Sequence, residues 1–176
     1  MLHKVYDIEL PYEELGLKTP EKKATITTYI KEMYPDYQDP FNRPLVIICP
    51  GGGYDHHSPR EGEAVAVKML ELGYNAVVLR YSLAPYIYPT QVYEAAYTVK
   101  WVRDHAKEWD VNPYRIILAG FSAGGHLAAC LGTMWSGDMV ASFAKKYLGC
   151  DKEYVRPDGL LLGLSLIHIS EPTRRS

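Results

Sequence analysis

One serine in the chain stands where a hydroxyl can be made into a nucleophile. Ser122 is the middle residue of Gly120-Phe121-Ser122-Ala123-Gly124, with the apolar run Ile116-Ile117-Leu118-Ala119 before it and Gly125-His126-Leu127-Ala128-Ala129 after it. A short apolar run that ends in Gly-x-Ser-x-Gly and passes at once into a helical pattern predicts strand, sharp turn and helix, with the serine oxygen exposed at the apex. A hydroxyl placed there attacks a carbonyl carbon once a base takes its proton, and the tetrahedral oxyanion needs donors placed beforehand. The second requirement is supplied. Pro50-Gly51-Gly52-Gly53 follows the apolar run Leu45-Val46-Ile47-Ile48-Cys49, and glycines leave backbone N–H groups unscreened and permit positive φ. In this arrangement the N–H after the nucleophile, here Ala123, pairs with one from the glycine loop. A glycine run or a lone serine turn is weak evidence by itself. Here each follows an apolar strand, each opens a helix, and they come in the required order.

The surrounding pattern predicts the scaffold. Residues 1–23 read as a polar lead-in punctuated by Pro11, Gly16 and Pro20. Residues 24–31 alternate and are rich in β-branched types, which predicts an early strand, antiparallel at one edge of a sheet. Residues 34–44 form a turn-rich loop. The continuous apolar run 45–49 is that of a strand covered on both faces. After the glycine loop, Ser58 can cap a helix, Pro59 suits its first position and Glu61 can close a capping box. Ala64, Val65, Met69 and Leu72 then recur at helical spacing up to Gly73. Residues 74–81 form the next strand. Pro89 opens a second helix with Val92, Ala95, Ala96, Val99, Val102 and Ala106 on one face and Lys100, Arg103, Asp104 and Lys107 on the other. Asn112 and Pro113 turn the chain into the strand before Ser122, a helix covers 123–134, a short one lies near 138–147, and 159–162 is another apolar run. Strands alternating with helices mean βαβ units, a mostly parallel sheet and helices on both faces.

The motifs also carry a family likeness. Cys49-Pro50-Gly51-Gly52-Gly53-Tyr54, Ser58-Pro59-Arg60-Glu61-Gly62, Val78-Leu79-Arg80-Tyr81, Trp101-Val102-Arg103 and the stretch 120–128 resemble the bacterial esterase family that includes acetyl-xylan-esterase-like and feruloyl-esterase-like enzymes. The likeness covers nearly all of residues 24–163. It implies an α/β-hydrolase fold, truncated after about the sixth strand. It implies Ser122 as the nucleophile, with Gly52, Gly53 and Ala123 as the oxyanion donors. Pro50 stands where the related lipase glycine motif has histidine, which favours this family over hormone-sensitive-lipase-like enzymes. The implied reaction is a serine carboxylesterase deacylation, chiefly deacetylation, of carbohydrate esters, so the expected partner is a small-molecule or oligosaccharide ester. An aminopeptidase or other amide hydrolase of the same fold, and a non-catalytic hydrolase fold used for binding, are the competing readings.

The first requirement, a base, is missing. In such enzymes the triad acid and histidine follow the nucleophile in chain order. After Ser122 come Asp138, Asp151 and Asp158, but before residue 164 the one later histidine is His126, one helical turn past the serine and read as a packing or capping group. His56 and His57 beside the glycine loop could line the pocket or bind a metal. No carboxylate-histidine spacing supports a metal site, so they read first as solvent-exposed loop residues, while His105 reads as structural. Loss of the base histidine from a triad costs on the order of a millionfold in turnover. As it stands, the polypeptide is expected to be inactive. The same shortfall leaves the strand at 159–163 as an apolar edge prone to aggregate.

The last stretch is expected not to be natural. Leu164-Ser165-Leu166-Ile167-His168-Ile169-Ser170-Glu171-Pro172-Thr173-Arg174 reads as a translated tagmentation adapter, so residues 164–176 are set aside and His168 is given no role. Residues 1–163 are then the N-terminal part of one α/β-hydrolase domain. The alternative is a genuine strand over 159–169 with a polar tail. Composition excludes other classes. Of 176 residues 47% are hydrophobic and the formal net charge is −2, with neither a basic stripe for nucleic acid nor a run of ~20 apolar residues to span a bilayer. Cys49, Cys130 and Cys150 are odd in number and far apart, so free buried thiols in a reducing compartment are expected. No apolar leader opens the chain, and the expected location is the cytoplasm. No metal-ligand spacing occurs, and no cofactor is expected.

Overall fold

The computed structural model describes residues 1–32 and 43–163. The turn-rich loop read over 34–44 and the tail 164–176 fall wholly or mostly outside the described residues. Six strands form one sheet: β1 (Val5–Asp7), β2 (Thr25–Tyr29), β3 (Arg43–Cys49), β4 (Asn75–Arg80), β5 (Val111–Phe121) and β6 (Gly159–Gly163), in the order β1-β2-β4-β3-β5-β6. The strands β3, β4, β5 and β6 run parallel, while β1 and β2 are antiparallel. Four α-helices accompany them: α1 (Glu63–Glu71), α2 (Thr90–Asp104), α3 (Ala123–Met134) and α4 (Asp138–Tyr147).

The continuous apolar strands are explained by two cores. Side chains alternate across a strand, so Leu45, Ile47, Val77, Leu79, Ile116 and Leu118 join the core shared with α2, α3 and α4. Val46, Ile48, Ala76, Val78 and Ala119 join a smaller one against Ala66 of α1. Both faces are covered, and the central strands carry no polar side.

Several local expectations are corrected. The polar lead-in contains β1 and buries Ile8 and Tyr12, because pairing with β2 and packing on α2 recruit residues that show no periodicity of their own. Strand β2 is therefore not the edge. Leu72 is 57% exposed, and α1 packs instead through Val65, Ala66, Met69 and Leu70. Arg103, placed on the polar face of α2, is buried. Its Nε donates to the Pro113 carbonyl at 2.9 Å, its Nη1 to the Tyr154 carbonyl, and its Nη2 to the Arg156 carbonyl at 3.1 Å and Asp158 at 3.0 Å. One guanidinium thereby fastens the 3₁₀ turn Lys152–Val155 and the start of β6 to α2 and β5.

Candidate active site

Strand β5 carries Ser122 to the carboxyl edge of the parallel sheet, and α3 begins at the next residue. Ser122 has φ 50° and ψ −118°, a combination closed to side-chain-bearing residues without strain. The packing around it enforces this. A Cβ on Gly120 would stand 2.1 Å from the Gly124 carbonyl oxygen, and one on Gly124 would stand 2.0 Å from that of Cys49. The two motif glycines thus let α3 settle directly on the ends of β5 and β3. The Ser122 N–H donates to the Gly163 carbonyl at 3.1 Å, and the His126 N–H donates to the Ser122 carbonyl at 2.9 Å.

The glycine loop meets this turn. A Cβ on Gly51 would lie 2.6 Å from the Phe121 carbonyl oxygen and 3.0 Å from the Ser122 Cβ. Gly52, Gly53 and Tyr54 follow with φ of 130°, 64° and 63°. Three contacts hold the loop: the Gly51 N–H donates to Glu61 Oε2 at 2.8 Å, the Tyr81 hydroxyl to the Pro50 carbonyl at 2.6 Å, and the Ala84 N–H to the Tyr54 carbonyl at 2.7 Å. Burial pushes the Tyr81 and Tyr54 phenols well above their ordinary range, so both stay neutral. Burial likewise pushes the Cys49 thiol at the end of β3 up to about 12, and it too remains protonated. Among the described residues, no group accepts the N–H of Gly52, Gly53 or Ala123. The Ala123 amide lies at the first turn of α3, where the orphan N–H groups and the helix dipole favour negative charge.

The structure separates the other singled-out residues from the serine oxygen. His126 is exposed, and its Nδ1 and the Tyr54 hydroxyl are hydrogen-bonded at 2.9 Å. Its ring braces the loop against α3 and makes no hydrogen bond to the Ser122 side chain. His56 is exposed, as expected. His57 is half-buried edge-on against Tyr81, with ring centroids 4.8 Å apart, which corrects its reading as an exposed residue. His105 is structural, its Nδ1 2.7 Å from the Trp101 carbonyl oxygen and its ring stacked on Trp109. Asp158 precedes β6, whose Gly159 pairs with Ile117 and whose Gly163 pairs with Phe121. It therefore sits at the opposite end of the strand from Ser122, roughly 15 Å away at 3.3 Å per residue. Asp138 opens α4, and Asp151 is exposed beside Lys145. All three cysteines are free, with Cys49 buried. Among the described residues, no group of three or more His, Cys, Asp or Glu is placed to hold a metal, and no helix is long and apolar enough to cross a membrane.

Two participants were not recognised in the sequence. Glu61 was read as a helix-capping group, yet the turn Pro59–Glu61 is 3₁₀ with no side-chain cap, and its carboxylate turns to Gly51 instead. The second is a cleft of about 300 Å³ beside the elbow, lined by Tyr54, Ile87, Tyr88, Val92, Leu127 and Cys130 among others. Its walls come from three separate elements, so no local motif announces it.

A mostly parallel sheet in this strand order, with a strained serine between β5 and α3 and a glycine loop after β3, defines the α/β-hydrolase fold. Within it, the chain belongs to the BD-FAE family, whose profile matches residues 32–154. It is 35% identical over 98 residues to an acetylxylan esterase of Xylanibacter ruminicola, a match covering 55% of this chain and 20% of that protein. Endo-1,4-beta-xylanase B of Butyrivibrio fibrisolvens is 27% identical over 135 residues, covering 74% and 20%. Among solved structures, the acetyl ester-xyloside bifunctional hydrolase of Caldicellulosiruptor lactoaceticus superposes with a TM-score of 0.68 at 28% identity, covering 89% of this chain and 55% of the other. A carboxylesterase of Lactobacillus plantarum does so with a TM-score of 0.68 at 31% identity, covering 81% and 50%. The chain thus spans about half the length of these solved relatives and about a fifth of these curated ones.

Proposed function

We propose that the chain is the N-terminal part of a serine carboxylesterase that removes acetyl or related acyl groups from carbohydrate. Ser122 Oγ attacks the ester carbonyl and the N–H groups of Gly52, Gly53 and Ala123 take the oxyanion. The tetrahedral intermediate then expels the alcohol, which carries off the serine proton by way of the base, and the acyl-serine left behind is hydrolysed by water. The observation that carries this reading is the strained Ser122 turn in contact with a glycine loop in which the Gly52 and Gly53 N–H groups have no acceptor among the described residues. The acetylxylan esterase and acetyl ester-xyloside hydrolase among its relatives support carbohydrate esters as the substrate class. No described side chain hydrogen-bonds the Ser122 hydroxyl as a base. In the longer protein, an acid and a histidine from later strands fill those roles, and the 176-residue chain alone turns over esters at no more than the residual level of a site without its base.

Fluorophosphonate labelling of the full-length protein tests the nucleophile. Labelling at Ser122, absent in Ser122→Ala, is the expected result, together with acetate release from acetylated xylo-oligosaccharides. An unlabelled full-length protein that releases no acetate would overturn the reading.

A further inference from the structure

The carboxyl end of β4 borders a second recess, of about 260 Å³, whose lining includes Lys22, His57, Arg80, Tyr81 and Tyr86. Ala84 and Tyr86 line both this recess and the apolar cleft bounded by Tyr54 of the glycine loop and His126 and Leu127 of α3, so the two hollows adjoin along one short segment. The segment is fixed from below. Glu94 of α2 accepts the Ser82 N–H at 2.8 Å, and Gln91 Nε2 donates to the carbonyls of Ser82 and Tyr86, both at 2.9 Å.

The charges in the recess are unbalanced. Arg80 donates from Nη1 to Thr27 Oγ1 at 3.0 Å, and neither it nor Lys22 pairs with a carboxylate among the described residues. Lys23 is different, being engaged by Glu9 and Asp7. Glu21 is the one carboxylate in the lining. Its backbone N–H donates to the Tyr86 hydroxyl at 2.8 Å, which leaves the phenol proton available to an acceptor. His57 forms an uncharged wall: burial first, then the nearby Arg80, hold its imidazole down at about 4.

We propose that this recess takes the carboxylate of an acidic sugar, a uronyl unit on the same oligosaccharide whose ester reaches Ser122. The proposal rests on the esterase reading above and names a preference within it. A guanidinium presents a planar pair of donors that matches a carboxylate. Arg80, with Lys22 and the Tyr86 hydroxyl beside it, offers an anion three partners at once. A neutral sugar offers the two cations no charge to pair with. Because the hollows adjoin at Ala84 and Tyr86, one oligosaccharide passing over that segment would reach both.

Titration of the full-length protein carrying Ser122→Ala, followed by calorimetry and by amide chemical shifts, tests this without turnover. The probes are a xylo-oligosaccharide bearing one glucuronyl group, its neutral counterpart of the same backbone length, and inorganic phosphate. The acidic oligosaccharide is expected to bind at least about fivefold more tightly than the neutral one at low salt, the scale of an exposed ion pair, and to lose the preference at high salt. Arg80→Gln and Lys22→Ala should each reduce that preference while leaving the neutral ligand's Kd unchanged. Amide shifts should centre on Arg80 and Tyr86. Equal affinities, or a preference that survives both substitutions, overturn the recess and leave the esterase reading standing. Phosphate binding as tightly as the acidic oligosaccharide overturns the sugar as its source. Binding by neither oligosaccharide also overturns the proposal, and fluorophosphonate labelling then decides the esterase reading separately.

Discussion

Glu61 Oε2 lies 2.8 Å from the Gly51 nitrogen, so a carboxylate at the entry to α1 holds the first glycine of the loop that touches Ser122. Removing that acceptor leaves a part-buried N–H unsatisfied, at a cost of about 1–3 kcal/mol. Glu61→Ala should therefore lower the urea midpoint. In the full-length enzyme it should reduce kcat more than it raises KM, with Glu61→Gln recovering most of both. A Glu61→Ala protein with unchanged stability and kcat would show that the loop holds its shape without this contact.

Gly124→Ala should be among the most damaging single-methyl changes in the chain. The added carbon would meet the backbone of Cys49 and Pro50, with the nearest oxygen at 2.0 Å, and neither strand end nor helix start can retreat. Overpacking of this kind costs about 1–3 kcal/mol and occasionally more. Gly132→Ala makes the control. Its methyl would meet only the Leu160 side chain, at 2.4 Å, which can rotate, and alanine gains about 1 kcal/mol of helix propensity. Urea denaturation of the two variants should separate them clearly.

Arg103→Met should destabilise the fold by about 1–3 kcal/mol, because it leaves the part-buried Asp158 carboxylate without its guanidinium partner. It also removes the donor to three backbone carbonyls. Arg103→Lys should recover only part of this, since an ammonium cannot span the same fork. Equilibrium unfolding of both proteins provides the comparison.

The pH dependence of stability should show two opposed contributions. Burial raises the Glu94 carboxyl from 4.5 to about 7 even though Tyr12 and both donors of Ser82 bond to it. A carboxyl raised on folding contributes stability that is complete below 4.5 and lost as pH climbs through 7, here up to about 3 kcal/mol. His57 is depressed from 6.5 to about 4, so its contribution is complete above 6.5 and lost as pH falls through 4. Between 4.5 and 6.5 the two offset each other. Glu94→Gln removes the first alone, and its melting temperature should then fall on acidification across that window more steeply than that of the parent chain.

Much of the fold was legible because the central strands are buried on both faces and read as unbroken apolar runs, with glycines just beyond β3 and at the end of β5. The elbow and the glycine loop were legible for a related reason: glycine is required wherever backbones approach as closely as Gly124 does to Cys49. What escaped notice depends on contacts between distant segments. Strand β1 exists through its pairing with β2, Arg103 is buried only because residues 152–158 fold back over it, and Glu61 looked like a local cap because a capping box uses the same residue at the same spacing. His57 was read by its loop, while the Tyr81 ring across the sheet end determines its surroundings.

The bond from the Ser122 amide to the Gly163 carbonyl ties the strained serine turn to the outer member of the sheet. Among the described residues β6 pairs only with β5, and its Leu160, Leu161 and Leu162 are 42%, 41% and 55% exposed. Outer strands open more readily than central ones. The Ser122 amide should accordingly exchange with deuterium at the rate at which β6 peels away, faster than its neighbours Leu118 and Ala119 in the same strand. The posture of Ser122 is thus on loan from the rim of the sheet, and a further strand seated against β6 would steady a serine it never touches.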